Sequence, residues 1–299
     1  MIIIGAGMAG LLAANMIRKS TIIEAQPKLP NNHSAVLRFR SSQVGDVLGI
    51  PFKKVTLIKT ALPWQNPVAD ALSYSFKNTG TRRSDRSIIA GMTVAERFIA
   101  PPDFINQMAE RAEIAFNKEW IPPSREGGEL TISTIPMPVL MELLDYPNKP
   151  DVRFSYREGV NLRVVLPDTD AYVSLAVPDP VLPFSRISIT GNELIVEMND
   201  ANMNETRHKL IASMALGLLG IPSKGIEDVT AHRQTYAKIN PIDDVARKEF
   251  IYWATDAYNI FSLGRFATWR PNLLLDDLVN DVRLIERWAR DRYQAKQRR

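Results

Sequence analysis

Ile2-Ile3-Ile4-Gly5-Ala6-Gly7-Met8-Ala9-Gly10, then the apolar run Leu11 to Ile17, then Thr21-Ile22-Ile23-Glu24: these residues decide how the chain folds. The β-branched triplet reads as a short buried strand, the three glycines as a tight turn, Leu11 to Ile17 as a helix, and Thr21 to Ile23 as a second strand ending in an acid. That order is the dinucleotide-binding fingerprint in its required context, with Glu24 nineteen positions after Gly5. Gly5 permits the turn, Gly7 lets backbone approach a pyrophosphate, and Gly10 lets the helix lie close on the strand. The helix N-terminus then offers free N–H groups to the diphosphate, and the Glu24 carboxylate is placed to accept from the adenosine ribose. The fingerprint alone leaves FAD and NAD as alternatives.

Working outward, 299 residues is about two domains' worth of chain or one large α/β unit with an insertion. At 45% hydrophobic and 23% charged the composition is that of a globular protein and excludes wholesale disorder. The absence of Cys removes disulfides, thiolate metal sites, cysteine nucleophiles and a cysteinyl cofactor tether, and three His (His33, His208, His232) leave too few for a His-rich metal site, so no metal is expected. The formal net charge of +4 is uneven: Arg283 to Arg299 holds seven basic residues against Glu286 and Asp291, so the rest of the chain is nearly neutral. That basic end reads either as a solvated helix terminus or as a phosphate-contacting tail. Met1 to Ile17 lacks the basic flank and cleavage site of a signal peptide, and no stretch is long and apolar enough for a membrane span. The expected compartment is the cytoplasm. The sequence leaves the oligomeric state open.

Further along, Leu130 to Ile135 reads as a strand stopped by Pro136. After Pro150 the texture changes to short strands, Val152–Arg157, Gly159–Leu166, Ala171–Val177 and Ser185–Met198, the last divided by the hairpin signal Gly191-Asn192. Helices are expected over Glu205–Leu219, closed by Gly220, and over Asp243–Tyr258. A short strand, Asn259–Leu263, then leads through Gly264-Arg265 and Asn272 into a last helix, Leu273 to about Tyr293. The fold class expected is α/β: a Rossmann-like domain built from both chain ends with an inserted antiparallel sheet domain. The expected division assigns 1–60, 105–140 and 232–299 to the nucleotide domain, 61–104 to a substrate-domain or cap segment, and 141–231 to the substrate domain.

Four segments together resemble the flavoprotein group that contains UDP-galactopyranose mutase and the amine oxidases: IIIGAGMAGLLAA at the start, LTISTIPMP at 130–138, VPDPVLPFSRIS at 177–188 and NIFSLGRFATWRPNLLLDDLV at 259–279. The resemblance implies FAD, held by Gly5, Gly7, Met8, Ala9, Gly10, Glu24 and Ala25 at the diphosphate and ribose. It also implies that Gly264, Arg265, Arg270, Asn272, Leu273 and Leu274 lie at the flavin ring, with Asn272 capping a helix whose N–H groups stabilise negative charge on the reduced ring. Two departures weigh against ring-contraction chemistry on a sugar nucleotide. There is little room between Phe104 and Pro150 for the mutases' helical substrate domain, and Pro271-Asn272-Leu273-Leu274 stands where mutases carry an aromatic-Leu-Asp run. NNHSAVLRFRSS at 31–42 and TGTRRSDRS at 79–87 look like small bacteriophage flavoproteins of this group, among them the flavin-dependent lyases of thymidine hypermodification. That narrower resemblance implies modified DNA as substrate: a glycyl adduct on thymine is trimmed to aminomethyl-deoxyuridine with release of glyoxylate, in the host cytoplasm.

A carboxylate-bearing substrate needs a planar guanidinium fork, and Arg38, Arg40, Arg186, Arg265 and Arg270 are the candidates. Arg38 and Arg40 alternate about Phe39 and on a strand would share one face. His33 is a candidate proton acceptor against the ordinary reading of a loop histidine bonded to backbone. Tyr236, Tyr252, Tyr258 and Trp269 are candidates to stack on flavin or base, against the ordinary reading of core aromatics. Arg82, Arg83 and Arg86, or the basic tail, are candidates to hold DNA phosphates. The leading expectation is thus an FAD-dependent lyase or oxidoreductase of the amine-oxidase kind acting on a C–N bond. The alternatives are a mutase-like isomerase, a generic FAD amine oxidase, and a nucleotide-binding protein without a reaction.

Overall fold

The computed structural model describes residues 1–29, 37–83, 91–125, 129–199, 205–223 and 228–297. The chain opens with β1 (Ile2–Ile4), α1 (Met8–Met16) and β2 (Thr21–Ile23), then runs through β3 (Arg38–Phe39), α2 (Gln43–Leu48), β4 (Lys53–Ala61), α3 (Pro67–Thr79) and β5 (Thr93–Ile99). It continues with α4 (Phe104–Glu110), β6 (Glu113–Ala115), β7 (Thr131–Ser133), α5 (Met137–Leu143), β8 (Tyr156–Val165), β9 (Ala171–Ala176), β10 (Phe184–Gly191) and β11 (Glu193–Met198). It ends with α6 (Glu205–Leu218), β12 (Thr230–Ile239), α7 (Asp244–Tyr258), β13 (Ile260–Ser262) and α8 (Leu275–Gln297). The strands form two sheets, a five-stranded parallel one in the order β13-β7-β1-β2-β6 and an eight-stranded one, mostly antiparallel, in the order β12-β8-β11-β10-β9-β4-β5-β3. The architecture is the expected α/β one.

The parallel sheet is built by the fingerprint. Ile2, Ile3 and Ile4 pair with Thr21, Ile22 and Ile23 on one side and with Thr131, Ile132 and Ser133 on the other, so β1 is central and its side chains are buried on both faces. Parallel neighbours require a crossover, and α1 supplies it, burying Leu11, Leu12 and Ala13 in a core shared with Leu278, Val279 and Val282 of α8. Gly5 sits at φ +93°, and a Cβ on Gly10 would stand 2.0 Å from the Gly5 carbonyl oxygen. No other residue fits there. The turn is braced from two sides: Glu24 accepts from the Ala6 N–H at 2.7 Å, and the Thr134 hydroxyl donates to the Ile4 carbonyl at 2.7 Å.

The larger sheet follows period two. Leu162 and Val164 on β8, Leu175 on β9, Ile187 and Ile189 on β10, and Leu194, Val196 and Met198 on β11 form one face, which packs against Ile211, Ala212, Ala215 and Leu216 of α6. Each such buried aliphatic contributes roughly 1.5–3 kcal/mol. Their neighbours in the alternation, Asn161, Ser174, Arg186, Ser188 and Glu197, occupy the opposite, polar face. Gly191 turns the β10–β11 hairpin at φ +65°, as its sequence signal implies.

Three expectations are corrected. Val152–Arg157 and Gly159–Leu166 are not two strands: β8 runs unbroken from Tyr156 to Val165, Val152 to Ser155 lie outside it, and Gly159 within it marks a close approach, where a Cβ would meet the Ala237 Cβ at 2.7 Å. The 1–60 stretch contributes β3 and β4 to the large sheet, and β12 extends that sheet to Ile239, because these three strands pair with β5, β8 and β9 and not with β1 or β2. The last helix begins at Leu275, two residues later than Leu273, where the Leu274 N–H is taken by the Asp277 carboxylate at 2.9 Å. Among the described residues no helix is long and apolar enough to cross a membrane.

Gly10→Ala should lower stability by about 3 kcal/mol or more, since the intruding methyl meets fixed backbone. Gly7→Ala should not, because nothing lies within 4 Å of a Cβ at that position. Thermal melting of the two variants side by side checks the contrast; similar melting temperatures would contradict it.

Candidate functional site

A cavity of about 550 Å³ lies where the polar face of the large sheet meets the glycine turn. One wall is Gly7, Met8 and Ala9 at the start of α1, where Gly7 caps the helix without any side-chain hydrogen bond. Another is the Gly264-Arg265-Phe266 turn after β13, together with Leu273 to Asp276 at the entry to α8. Gly264, at φ +96°, would carry a Cβ 2.9 Å from the Ala9 Cβ, so this turn lies directly against α1. The remaining wall is Leu37, Arg38 and Phe39 with Gln234 to Ala237 of β12. Seven of the residues expected at a flavin (Gly7, Met8, Ala9, Gly264, Arg265, Leu273, Leu274) therefore share one cavity. Gly5 and Gly10 are set behind it in the turn, Glu24 braces that turn, and Ala25, Arg270 and Asn272 are exposed away from the wall.

The start of α8 differs from the expectation that Asn272 caps it. Asp276 and Asp277 both stand in the first turn. Asp276 is buried and accepts from the backbone N–H groups of Arg40 at 2.9 Å and Ser41 at 3.1 Å. The Arg40 guanidinium pairs with Asp277 at 2.6 Å. Acids at a helix start suit its dipole but oppose an anion placed beside it, and Arg40 offsets them.

The five arginines separate accordingly. Arg40 lies outside β3, which ends at Phe39, so it does not share a strand face with Arg38; the pull of the two α8 acids turns it away. Arg270 is exposed and pairs with Asp281 at 3.6 Å. Arg186 donates to Glu197 at 3.3 Å and to the Tyr74 hydroxyl at 2.8 Å. Arg265 lies in the cavity wall with its guanidinium 5.5 Å from the centre of the Phe266 ring. Arg38 also lies in that wall, gives one hydrogen bond to the Ser188 hydroxyl at 3.3 Å, and has a second terminal nitrogen, Nη1, that is buried without a partner. Burial, and then repulsion from Arg186, lower the Arg38 pKa to about 10, so it remains a cation at neutral pH.

Beneath these arginines sits an acid that the sequence did not single out. Burial pushes the Glu197 carboxyl upward, but Arg186 and Lys238, whose ammonium lies 2.9 Å away, more than reverse this and hold it at about 2. Alternation along β11 was the available signal, since Glu193, Ile195 and Glu197 share the polar face. β12 was missed as well, although its large polar residues alternate. Of the aromatic candidates Tyr236 lines the cavity, Tyr252 is exposed, and Trp269 and Tyr258 are core, the latter accepting from Arg125 at 3.2 Å. Arg82 and Arg83 are exposed, Arg82 lying over the Phe76 ring at 4.6 Å. His33 and Arg86 lie outside the described residues, as do Arg298 and Arg299 of the basic tail.

No family model and no curated protein matches the sequence. Solved structures do match the fold. Reduced UDP-galactopyranose mutase is similar at a TM-score of 0.68 with 14% identity, over 95% of this chain and 94% of that one. A protein from Exiguobacterium sp. 255-15 described as a protoporphyrinogen oxidase gives 0.64 with 11% identity, over 97% and 98%. Glycine oxidase from Bacillus cereus ATCC 14579 gives 0.51 with 12% identity, over 78% and 82%. The two-sheet arrangement is thus a known one, and at these identities the likeness concerns the fold.

Glu197→Gln should leave Arg186 and Lys238 repelling one another and lower stability by about 1–3 kcal/mol, the pair being only partly shielded from water. Because the Glu197 pKa is depressed by folding, its contribution is full above the unfolded-state value near ~4.3 and fades as pH falls toward 2. Melting temperatures of wild type and variant across acid pH should therefore converge; a constant gap would refute the assignment.

Proposed function

We propose that this protein is an FAD-dependent oxidoreductase that cleaves the C–N bond of an amino-acid-like amine. The observation that carries the reading is the cavity in which a helix start without a side-chain cap, a glycine whose missing Cβ leaves open space, and the Arg38 side chain line the same volume. Gly7 and the N–H groups of Met8 and Ala9 fit a pyrophosphate, and Glu24 retains carboxylate lone pairs for ribose hydroxyls beyond the two N–H groups it already accepts. The start of α8 fits the pyrimidine end of the ring, and Phe266 and Tyr236 give it apolar contact. The resemblance to mutase and amine oxidase sequences and the fold of the solved structures both support this cofactor.

When bound, FAD supplies a two-electron acceptor. The chain's part is positioning and electrostatics. Arg38 holds the substrate carboxylate with its guanidinium, which Ser188 fixes in place, and Arg265 adds positive charge at the same wall. The amine must be neutral when hydride leaves the α-carbon, and the positive charge of Arg38 and Arg265 beside it favours that form. Water then adds to the resulting C=N bond, and the adduct divides into an amine and a keto acid. The specific substrate proposed is a glycine joined through nitrogen to the thymine methylene in DNA, which gives aminomethyl-deoxyuridine and glyoxylate. In a duplex that substituent projects into the major groove, so the base is reached there or flipped out.

Gly7→Val should purify as folded protein without flavin. Arg38→Lys should keep flavin and lose most turnover, about a hundredfold, because a point charge cannot replace the fork. Mass spectrometry after incubating holoenzyme with glycyl-modified thymidine DNA should find aminomethyl-deoxyuridine and glyoxylate. Absence of these products, with flavin-dependent turnover of a uridine diphosphate sugar, would transfer the assignment to a mutase-like isomerase.

A further inference from the structure

The polar face of the large sheet carries more positive charge than its own acids balance. Strand register places Lys59, Ser174 and Ser188 in one row across β4, β9 and β10, and Arg97, opposite Val55, on the same face as Lys59. Arg38 enters that row through its bond to Ser188. Of the acids on this face, Glu193 is taken by Arg163 at 2.9 Å, and Glu197 by Arg186 and Lys238. Lys59 makes no ion pair among the described residues, and the Arg97 guanidinium donates to the Glu96 carbonyl at 2.6 Å. Burial, and then the charges of Arg97, Arg38 and Arg186, push the Lys59 pKa down, so these cations repel one another, and the nearby acid, Glu197, offsets Arg186 and Arg38.

We propose that Lys59 and Arg97, floored by Ser174 and Ser188 and adjoining Arg38, form a second anion subsite that holds a phosphate ester of the substrate. One carboxylate on Arg38 leaves two cations unbalanced, whereas a phosphate accepts from an ammonium, a guanidinium and hydroxyls at once. Lys59 and Arg97 are only half-buried, so a chain arriving from solvent reaches them. The substrate class that follows is a nucleotide-linked amino acid whose phosphate is held apart from the carbon that reacts. This rests on the reading of the adjoining cavity as the place of reaction, and it sets the phosphate contact on the sheet rather than on Arg82, Arg83 or the basic tail.

The test is equilibrium binding to resting holoenzyme, so that it needs no turnover. The probes are thymidine 5′-monophosphate and a short fluorescein-labelled oligothymidylate at low salt. Lys59→Gln with Arg97→Gln should weaken binding about tenfold or more and lower the salt slope for the oligonucleotide by about 0.7 per phosphate lost, with flavin absorbance unchanged. Lys59→Arg should restore most of the affinity. Lys54→Gln, on the outward side of β4 where Lys54 pairs with Glu96 at 2.6 Å, is the control and should change little. Loss with both probes identifies a single phosphate in the subsite, and loss with the oligonucleotide alone identifies a backbone contact. Unchanged binding in the double variant, or an equal loss in Lys54→Gln, overturns the proposal. Intact binding without aminomethyl product would instead count against the C–N cleavage reading and leave the subsite standing.

Discussion

Everything in this molecule is positioned by one close approach, that of Gly10 to the carbonyl of Gly5. Because a single carbon at Gly10 would collide with backbone, α1 is seated at contact distance on β1, and its first N–H groups are delivered to a defined point. The turn after β13 repeats the device, with Gly264 against Ala9. Two backbone segments from opposite ends of the chain thereby meet at one helix start. The cavity is the space that these contacts leave between them and the large sheet.

Legibility in the sequence followed the physics of each region. β1, β2, β7 and β13 of the parallel sheet could be read because each is a short run around a buried isoleucine or phenylalanine and because Gly5 and Gly10 answer to sterics that admit no substitute, whereas β6, Glu113–Ala115, was not read. The β10–β11 hairpin was readable from Gly191-Asn192, whose left-handed backbone geometry few residues accept. β4, β5 and β12 were not read, since each is half-exposed: β4 buries only Val55 and Leu57 among lysines and threonines, and β5 and β12 have no alternating run of buried aliphatic residues. The same weakness hid Glu197, Lys59 and Arg97. Which arginine reaches the cavity is a tertiary matter: Arg40 is drawn to acids on α8, over two hundred positions away in sequence.

The electrostatic design of the polar face is graded. Near β8 and β11 charges are matched, as Arg163 with Glu193 and Arg186 with Glu197 show. Around Lys59, Arg97 and Arg38 the matching stops. A fold that needed these cations only for stability would have gained by pairing or deleting them, because like charges brought together under partial burial oppose folding.

The order of strands has a mechanical consequence. Following the chain, β1 and β2 belong to the parallel sheet, β3 to β5 to the large one, β6 and β7 to the parallel one, β8 to β12 to the large one, and β13 to the parallel one again, so the backbone passes between the sheets four times. A two-layer protein joined by one linker opens like a book. Here four tethers act in parallel, and any swing that widens the gap strains them together. Exchange of material with solvent is therefore left to small, fast movements of side chains and rim segments, while the spacing between the layers is set once, as the chain folds.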